Sequence, residues 1–136
     1  MVDSVLDTQP EERPRVLVVD DERNVTSVLR KILSRDYLVE TAASAAQAFA
    51  MLAVDPDAYD LILCDLEMPN ACGMEFVTMV RERHPDLEKH VIIMTGGALG
   101  WEHQAFVEQL GAAVLAKPFE FAVLRETVGT RLRPPR

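Results

Sequence analysis

Cysteine is scarce: Cys64 and Cys72 are the 2 cysteines in 136 residues. Two thiols make no disulfide framework, and free thiols fit a reducing, cytoplasmic setting. No apolar run approaches the ~20 residues that a membrane-spanning helix needs, so membrane insertion is not expected. The segment Met1 to Arg15 has no basic stretch followed by an apolar one. It carries Asp3, Asp7, Glu11 and Glu12 instead, which argues against a secretory signal. Positive charge is also in short supply, with 14 Lys and Arg against 22 Asp and Glu and a formal net charge of -8. Such a surface repels phosphate backbones and disfavours direct nucleic-acid binding. There is no internal repeat and no low-complexity tract. His84, His90 and His103 are scattered without metal-ligand spacing and read as surface or hydrogen-bonded side chains. Gly96-Gly97 lacks the following Lys-Ser/Thr of a phosphate-binding P-loop.

What is present is the composition of one globular domain. Hydrophobic residues make up 49% and charged residues 26%. A chain of this length buries about two-thirds of its unfolded surface, enough for a core without covalent staples.

From Arg15 onward, short apolar runs alternate with helical patterns. Val16-Leu17-Val18-Val19 is a continuous apolar run rich in β-branched valine, the mark of a strand buried on both faces. Val25, Val28, Leu29, Ile32 and Leu33 then recur at helical spacing and predict a helix over about 23–34. Tyr37 to Thr41 predicts a second strand. Ser44-Ala45-Ala46-Gln47 has the form of a capping box and opens a helix running to about Ala53. Leu61 to Cys64 predicts a third strand, followed by a loop at Met68-Pro69-Asn70 and a helix over about 74–83. His84-Pro85-Asp86 stops that helix. Val91 to Met94 predicts a fourth strand, and a weaker helix spans about 100–110, with Gly111 as its left-handed C′ residue. Ala113 to Ala116 predicts a fifth strand and 120–130 a last helix. The expected fold class is α/β: a doubly wound, five-stranded parallel sheet with five helices on its two faces. Residues 1–14 read as a flexible leader, 15–131 as the domain and 132–136 as a tail.

The polar residues fall at the strand ends. The first strand runs into Asp20-Asp21, the third into Asp65, the fourth into Thr95 and the fifth into Lys117. In an open parallel sheet these ends share one edge, where ligands bind. Three carboxylates packed together repel one another unless neutralised. Lys117 offsets one charge, and a hard divalent cation such as Mg²⁺, or Mn²⁺, offsets more through oxygen ligands. A carboxylate beside that cation and a lysine is equipped to attack a phosphoryl group, with Thr95 donating to one of its oxygens.

These stretches together resemble the receiver domain of bacterial two-component signalling systems. The resemblance rests on Val16-Leu17-Val18-Val19-Asp20-Asp21-Glu22, on Tyr59 through Pro69, on Gly73, on Ile93-Met94-Thr95-Gly96-Gly97 and on Lys117-Pro118-Phe119. It implies a flavodoxin-like, three-layer sandwich. It further implies Asp65 as phosphoacceptor, supplied by a histidine kinase or phosphotransfer protein. Asp20, Asp21, Asp65 and the backbone carbonyl of Glu67 would be the metal ligands, and Thr95 and Lys117 the phosphoryl contacts. The Lys117-Pro118 bond would be cis. The first helix would meet the kinase, and the face of the fourth helix, fifth strand and fifth helix would meet an unknown downstream protein. Three residues before the lysine, where the family usually has an aromatic ring, this sequence has Val114. Glu67 and Gly97 hold positions that vary in the family and tune phosphoryl lifetime.

Three other readings compete. Asp65-Leu66-Glu67 also fits an aspartyl-phosphate phosphatase, although that motif usually follows a first strand. A flavin-nucleotide binder on the same fold needs a hydroxyl- and glycine-rich loop where Asp20-Asp21 stands. A non-phosphorylated pseudo-receiver scaffold is the third. Cys64 reads as a small core residue, Cys72 as a loop thiol and Trp101 equally as packing or partner anchor.

Overall fold

The computed structural model describes residues 13–68, 72–96, 101–110 and 112–134. Gly97 and Gly111, with Pro69 and Asn70 and the leader up to residue 12, lie outside the described residues, as do the side chains of Cys72, Trp101 and His103.

In chain order the elements are β1 (Arg15–Val19), α1 (Arg23–Leu33), β2 (Leu38–Ala42), α2 (Ala45–Val54), β3 (Leu61–Asp65) and α3 (Cys72–Arg83). A 3₁₀ helix (Pro85–His90), β4 (Val91–Thr95), α4 (Trp101–Gln109), β5 (Ala113–Ala116) and α5 (Phe121–Arg131) follow. The strands form one sheet in the order β2-β1-β3-β4-β5, and each of its pairings is parallel. The chain leaves β1 toward β2 on one side and returns to β3 on the other. That reversal opens a crevice beyond the C-terminal ends of β1 and β3.

The continuous apolar strands are explained by burial on both faces. Leu17, Val19, Ile62, Cys64 and Ile93 point to one side and pack with Ala48 and Leu52 of α2 and Phe76 and Val80 of α3. Val16, Val18, Leu61, Leu63, Ile92 and Met94 point to the other and pack with Leu29 and Leu33 of α1 and Leu124 and Val128 of α5. The two-residue period of a strand thus feeds two cores from one apolar run.

Local signals are realised with small shifts. Ser44 Oγ accepts from Gln47 N–H at 3.1 Å. Gln47 reaches back as expected, but to the N–H of Ala43, one residue before the cap, at 2.8 Å. The second strand begins one residue late, because Tyr37 N–H still belongs to the turn and donates to Leu33 C=O. The helix expected from 74 begins at Cys72. After it comes the 3₁₀ helix Pro85–His90, which helical periodicity does not reveal. Proline presets its first residue, and Leu87 and His90, three apart, share its buried side.

Both ends of the described chain are tied down. Pro14 C=O accepts from Leu38 N–H, and the Arg13 guanidinium donates to Ser34 C=O at 3.0 Å. Beyond α5, Leu132 packs on the second core and Arg133 N–H donates to Asp60 C=O at 3.0 Å. The first residues of the expected tail are therefore part of the packed fold.

Candidate functional site

The sheet brings the strand-end residues together at one edge. Val19 pairs with Cys64 and Asp65 with Met94, so Asp20 and Asp65 emerge side by side. Thr95 ends β4 opposite Ala116, and Lys117 follows at once, its N–H donating to Thr95 C=O at 2.6 Å. The Lys117-Pro118 peptide is cis. Backbone amides aim the acids: Glu22 N–H donates to Asp20 Oδ1 at 2.9 Å and Glu67 N–H to Asp65 Oδ1 at 3.0 Å.

Asp20 and Asp65 are buried, at 1% and 3% exposure, whereas Asp21 is exposed. Each of the three offers an oxygen within 4.8 Å of the others. Lys117 Nζ sits among them, 2.8 Å from Asp20 Oδ2 and 3.4 Å from Asp65 Oδ2. Burial pushes the Asp20 carboxyl above its ordinary value, and the bonds from Lys117 and the Glu22 amide only partly counter this. Burial would lower the Lys117 ammonium, but the hydrogen bond to Asp20 and the charges of Asp20 and Asp65 outweigh it and hold the group above its ordinary value. One ammonium therefore faces more negative charge than it can neutralise. The donor set is hard oxygen, and the three carboxylates fit a divalent cation of the Mg²⁺ or Mn²⁺ kind.

Gly73, at the start of α3, makes this geometry possible. A β-carbon there would lie 2.3 Å from Asp65 O and 2.8 Å from Leu66 Cα. Only glycine lets α3 approach the loop after β3 so closely. Cys64 is fully buried beneath the site, and burial drives its thiol far above the ordinary range, so it is a packing residue as expected.

Two contacts were not foreseen from the sequence. Glu22 Oε1 approaches Lys117 Nζ at 3.7 Å as a further, exposed acid; its place directly after Asp20-Asp21 was the available signal. The Glu67 carboxylate leaves the acidic cluster and accepts the backbone N–H of Gly96. Val114, at 44% exposure, stands on the edge strand β5. Beside the site, Val25 and Val28 of α1, with Phe119 and Phe121 before and at the start of α5, line an open groove that Glu22 and Lys117 also border.

Residues 16–129 match the family model of the response regulator receiver domain. The chain belongs to this family. It is 34% identical over 123 residues to the response regulator protein PilR of Pseudomonas aeruginosa, an overlap of 89% of this chain and 26% of that protein. It is 30% identical over 129 residues to the photosynthetic apparatus regulatory protein RegA of Cereibacter sphaeroides, covering 91% of this chain and 67% of that one. Among solved structures, a CheY-like receiver domain protein from Methanospirillum hungatei superposes with a TM-score of 0.76 at 28% identity, over 88% of this chain and 93% of that chain. The Vibrio cholerae chemotaxis protein CheY4 gives a TM-score of 0.75 at 30% identity, over 88% and 99%. The receiver domain spans a small part of some curated relatives, 17% of the hydrogenase transcriptional regulatory protein HoxA of Cupriavidus necator and 26% of PilR. The receiver fold and its place in two-component signalling follow from these matches. No helix among the described residues is long and apolar enough to cross a membrane.

Proposed function

We propose that this receiver domain accepts a phosphoryl group on Asp65 from a phosphohistidine of a histidine kinase or phosphotransfer protein. A carboxylate oxygen of Asp65 attacks phosphorus in line. The phosphorus–nitrogen bond breaks, and its electron pair returns to the imidazole of the donor. The Lys117 ammonium and the Thr95 hydroxyl take up charge on the non-bridging oxygens. Water later hydrolyses the acyl phosphate, restoring the Asp65 carboxylate and releasing inorganic phosphate. The domain thus assists its own phosphorylation and dephosphorylation without being an enzyme for another substrate.

Asp20, Asp21, Asp65 and the backbone carbonyl of Glu67 would hold Mg²⁺ or Mn²⁺. When bound, the cation screens the carboxylates from the incoming anion. The observation that carries the reading is Lys117 Nζ within 2.8 Å of Asp20 and 3.4 Å of Asp65, with three carboxylates converging beside it.

The donor protein would dock at the groove between α1 and the start of α5, where Val28 and Phe121 are exposed. The output partner would be a protein rather than nucleic acid, in keeping with the net charge of -8. With Val114 on β5, no ring swings inward on phosphorylation; output would run through loop and helix shifts alone, or the domain would pass the phosphoryl group onward.

The test is intact mass after incubation with acetyl phosphate and Mg²⁺, beside Asp65→Asn and a metal-free control. A one-phosphoryl increase absent from both controls is expected. No increase under any donor would remove the phosphoacceptor reading.

A further inference from the structure

We propose that the segment leaving α5 is a latch that opens when the phosphoryl site is filled: Asp60 and His90, the residues that lead into β3 and β4, hold it shut in the unmodified protein. This inference rests on Asp65 being the phosphoacceptor.

The latch lies at the sheet edge opposite the acidic cluster. Arg133 N–H donates to Asp60 C=O at 3.0 Å, and His90 Nδ1 meets Arg131 C=O at 2.8 Å. Between these two holds, Leu132 packs on the second core. Asp60 is itself fixed to β1. Its N–H donates to Arg15 C=O at 2.8 Å, and its Oδ2 accepts Arg15 N–H at 2.9 Å. It cannot follow the segment if α5 moves.

The two holding residues stand at the entrances of the strands that end in the site. Asp60 directly precedes β3 and His90 directly precedes β4, and Asp65 and Thr95 are the last residues of the same two strands. Both strands are buried along all 5 residues and pair with each other inside the sheet. They form one rigid block, with the acceptor at one end and the catch at the other.

α5 runs along the outside of that block. Leu124 and Val128 pack with Leu63 of β3 and with Ile92 and Met94 of β4. Its 11 residues make a rod about 16 Å long. Lys117 lies just ahead of its first turn, and Arg131 is its last residue. In the unmodified site Lys117 Nζ is drawn inward, to 2.8 Å from Asp20 and 3.4 Å from Asp65. A phosphoryl group on Asp65 sets its oxygens further out, and the ammonium follows them. The junction of β5 and α5 moves with it, and close packing passes the shift along the helix as a small slide over β3 and β4. The catch stays with the strands. A hydrogen bond weakens steeply once its geometry is lost, so a slide of about 1 Å is enough to free the segment. This route reports occupancy of the site at the far edge of the sheet and needs no aromatic ring at Val114.

A latch that only stabilises the fold has a different consequence. Breaking it loosens the end of α5 and leaves affinity at the phosphoryl site unchanged.

The full chain is studied in Mg²⁺ with beryllofluoride as phosphoryl analogue. Hydrogen exchange at the Arg133 amide should quicken by about tenfold when the analogue saturates the wild type, a coupling of ordinary size between two sites. Coupling is reciprocal, so opening the latch should tighten analogue binding toward the same factor. Arg133→Pro opens it, since proline has no N–H to donate. Leu132, at φ -62° and ψ 141°, already has the conformation that a following proline requires. Arg133→Ala keeps the N–H and controls for the lost guanidinium. Arg133→Pro should bind beryllofluoride several-fold more tightly than wild type, and Arg133→Ala should match wild type. His90→Ala, which removes the other hold, should also bind it more tightly. Should Arg133→Pro fail to fold, the wild-type exchange measurement and His90→Ala still decide. An Arg133 amide that exchanges no faster with the analogue bound, or variants without a latch that bind it no better than Arg133→Ala, would overturn the proposal while leaving Asp65 as acceptor. Failure of the wild type to bind the analogue at all would instead remove the phosphoacceptor reading, and the trigger of the latch with it.

Discussion

Lys117 donates from Nζ to Asp20 Oδ2 at 2.8 Å, joining two residues 97 positions apart in sequence. The bond ties the end of β5 to the end of β1 across the crevice. It does not balance the site, because burial still holds the Asp20 carboxyl above its ordinary value.

A cation should therefore stabilise the fold. Ligand that binds only the native state adds roughly 2.7 kcal/mol at a hundred times its dissociation constant. For a domain of this size that is a rise in Tm of roughly 5–10 °C. Thermal melts with Mg²⁺ and with chelator should show this rise in wild type. Asp20→Asn and Asp21→Asn should lose most of it, since each removes a hard anionic donor. An equal rise in all three proteins would place the cation elsewhere.

Gly73→Ala should be far more damaging than a helix-favouring substitution normally is. Alanine in a helix gains up to ~1 kcal/mol over glycine in propensity. Here its β-carbon would stand 2.3 Å from Asp65 O, so either α3 or the loop after β3 must move. A net loss of roughly 2–4 kcal/mol in urea unfolding is expected, together with weakened Mg²⁺ binding. A stability gain would show that α3 does not pack as closely as described.

Much of this was legible from the sequence for definite physical reasons. A strand buried on both faces needs an unbroken apolar run, so Val16 to Val19 and Leu61 to Cys64 announce themselves. A site at one sheet edge needs its polar residues at strand ends, so Asp65, Thr95 and Lys117 stand out by position. What stayed hidden depends on partners distant in sequence. The close approach of Gly73 is set by the Asp65 carbonyl, and the reach of Glu67 is set by an amide 29 positions away. The 3₁₀ helix Pro85–His90 is too short to show a period. The three histidines looked alike, yet His90 is buried and meets Arg131 C=O at 2.8 Å.

That contact defines a proton. A carbonyl only accepts, so His90 Nδ1 must carry the hydrogen. Both the neutral tautomer with Nδ1–H and the imidazolium satisfy this. His90→Ala leaves the end of α5 without its donor and opens a small void, for an expected loss of about 1–3 kcal/mol. His90→Asn, whose amide N–H can replace Nδ1–H, should lose less. Urea unfolding gives the total, and hydrogen exchange in the last turn of α5 should rise in the Ala variant before the rest of the helix. Uniform change across the protein would mean that His90 does not anchor α5 in particular.

Tyr59 gives the clearest dependence on pH. Its ring is 4% exposed, and its hydroxyl donates to Glu40 Oε1 at 3.0 Å. The other oxygen of Glu40 is held by the Arg15 guanidinium at 2.9 Å. Burial first, then the bond to Glu40 and its charge, push the Tyr59 hydroxyl from an ordinary value of 10.0 up to about 12. Below pH 10 the phenol is protonated in both states, and its contribution is fully present. Between pH 10 and about 12 the unfolded chain loses this proton more readily than the folded one, so stability falls as pH rises. Tyr59→Phe removes both the bond and the proton. At neutral pH the variant should be less stable by about 1 kcal/mol. Above pH 10 the wild type should descend toward it, while alkaline losses from other groups are common to both proteins. Urea unfolding of the pair from neutral to strongly alkaline pH would show the gap closing. A gap that stayed constant would mean that the Tyr59 proton is not what the Glu40 contact protects.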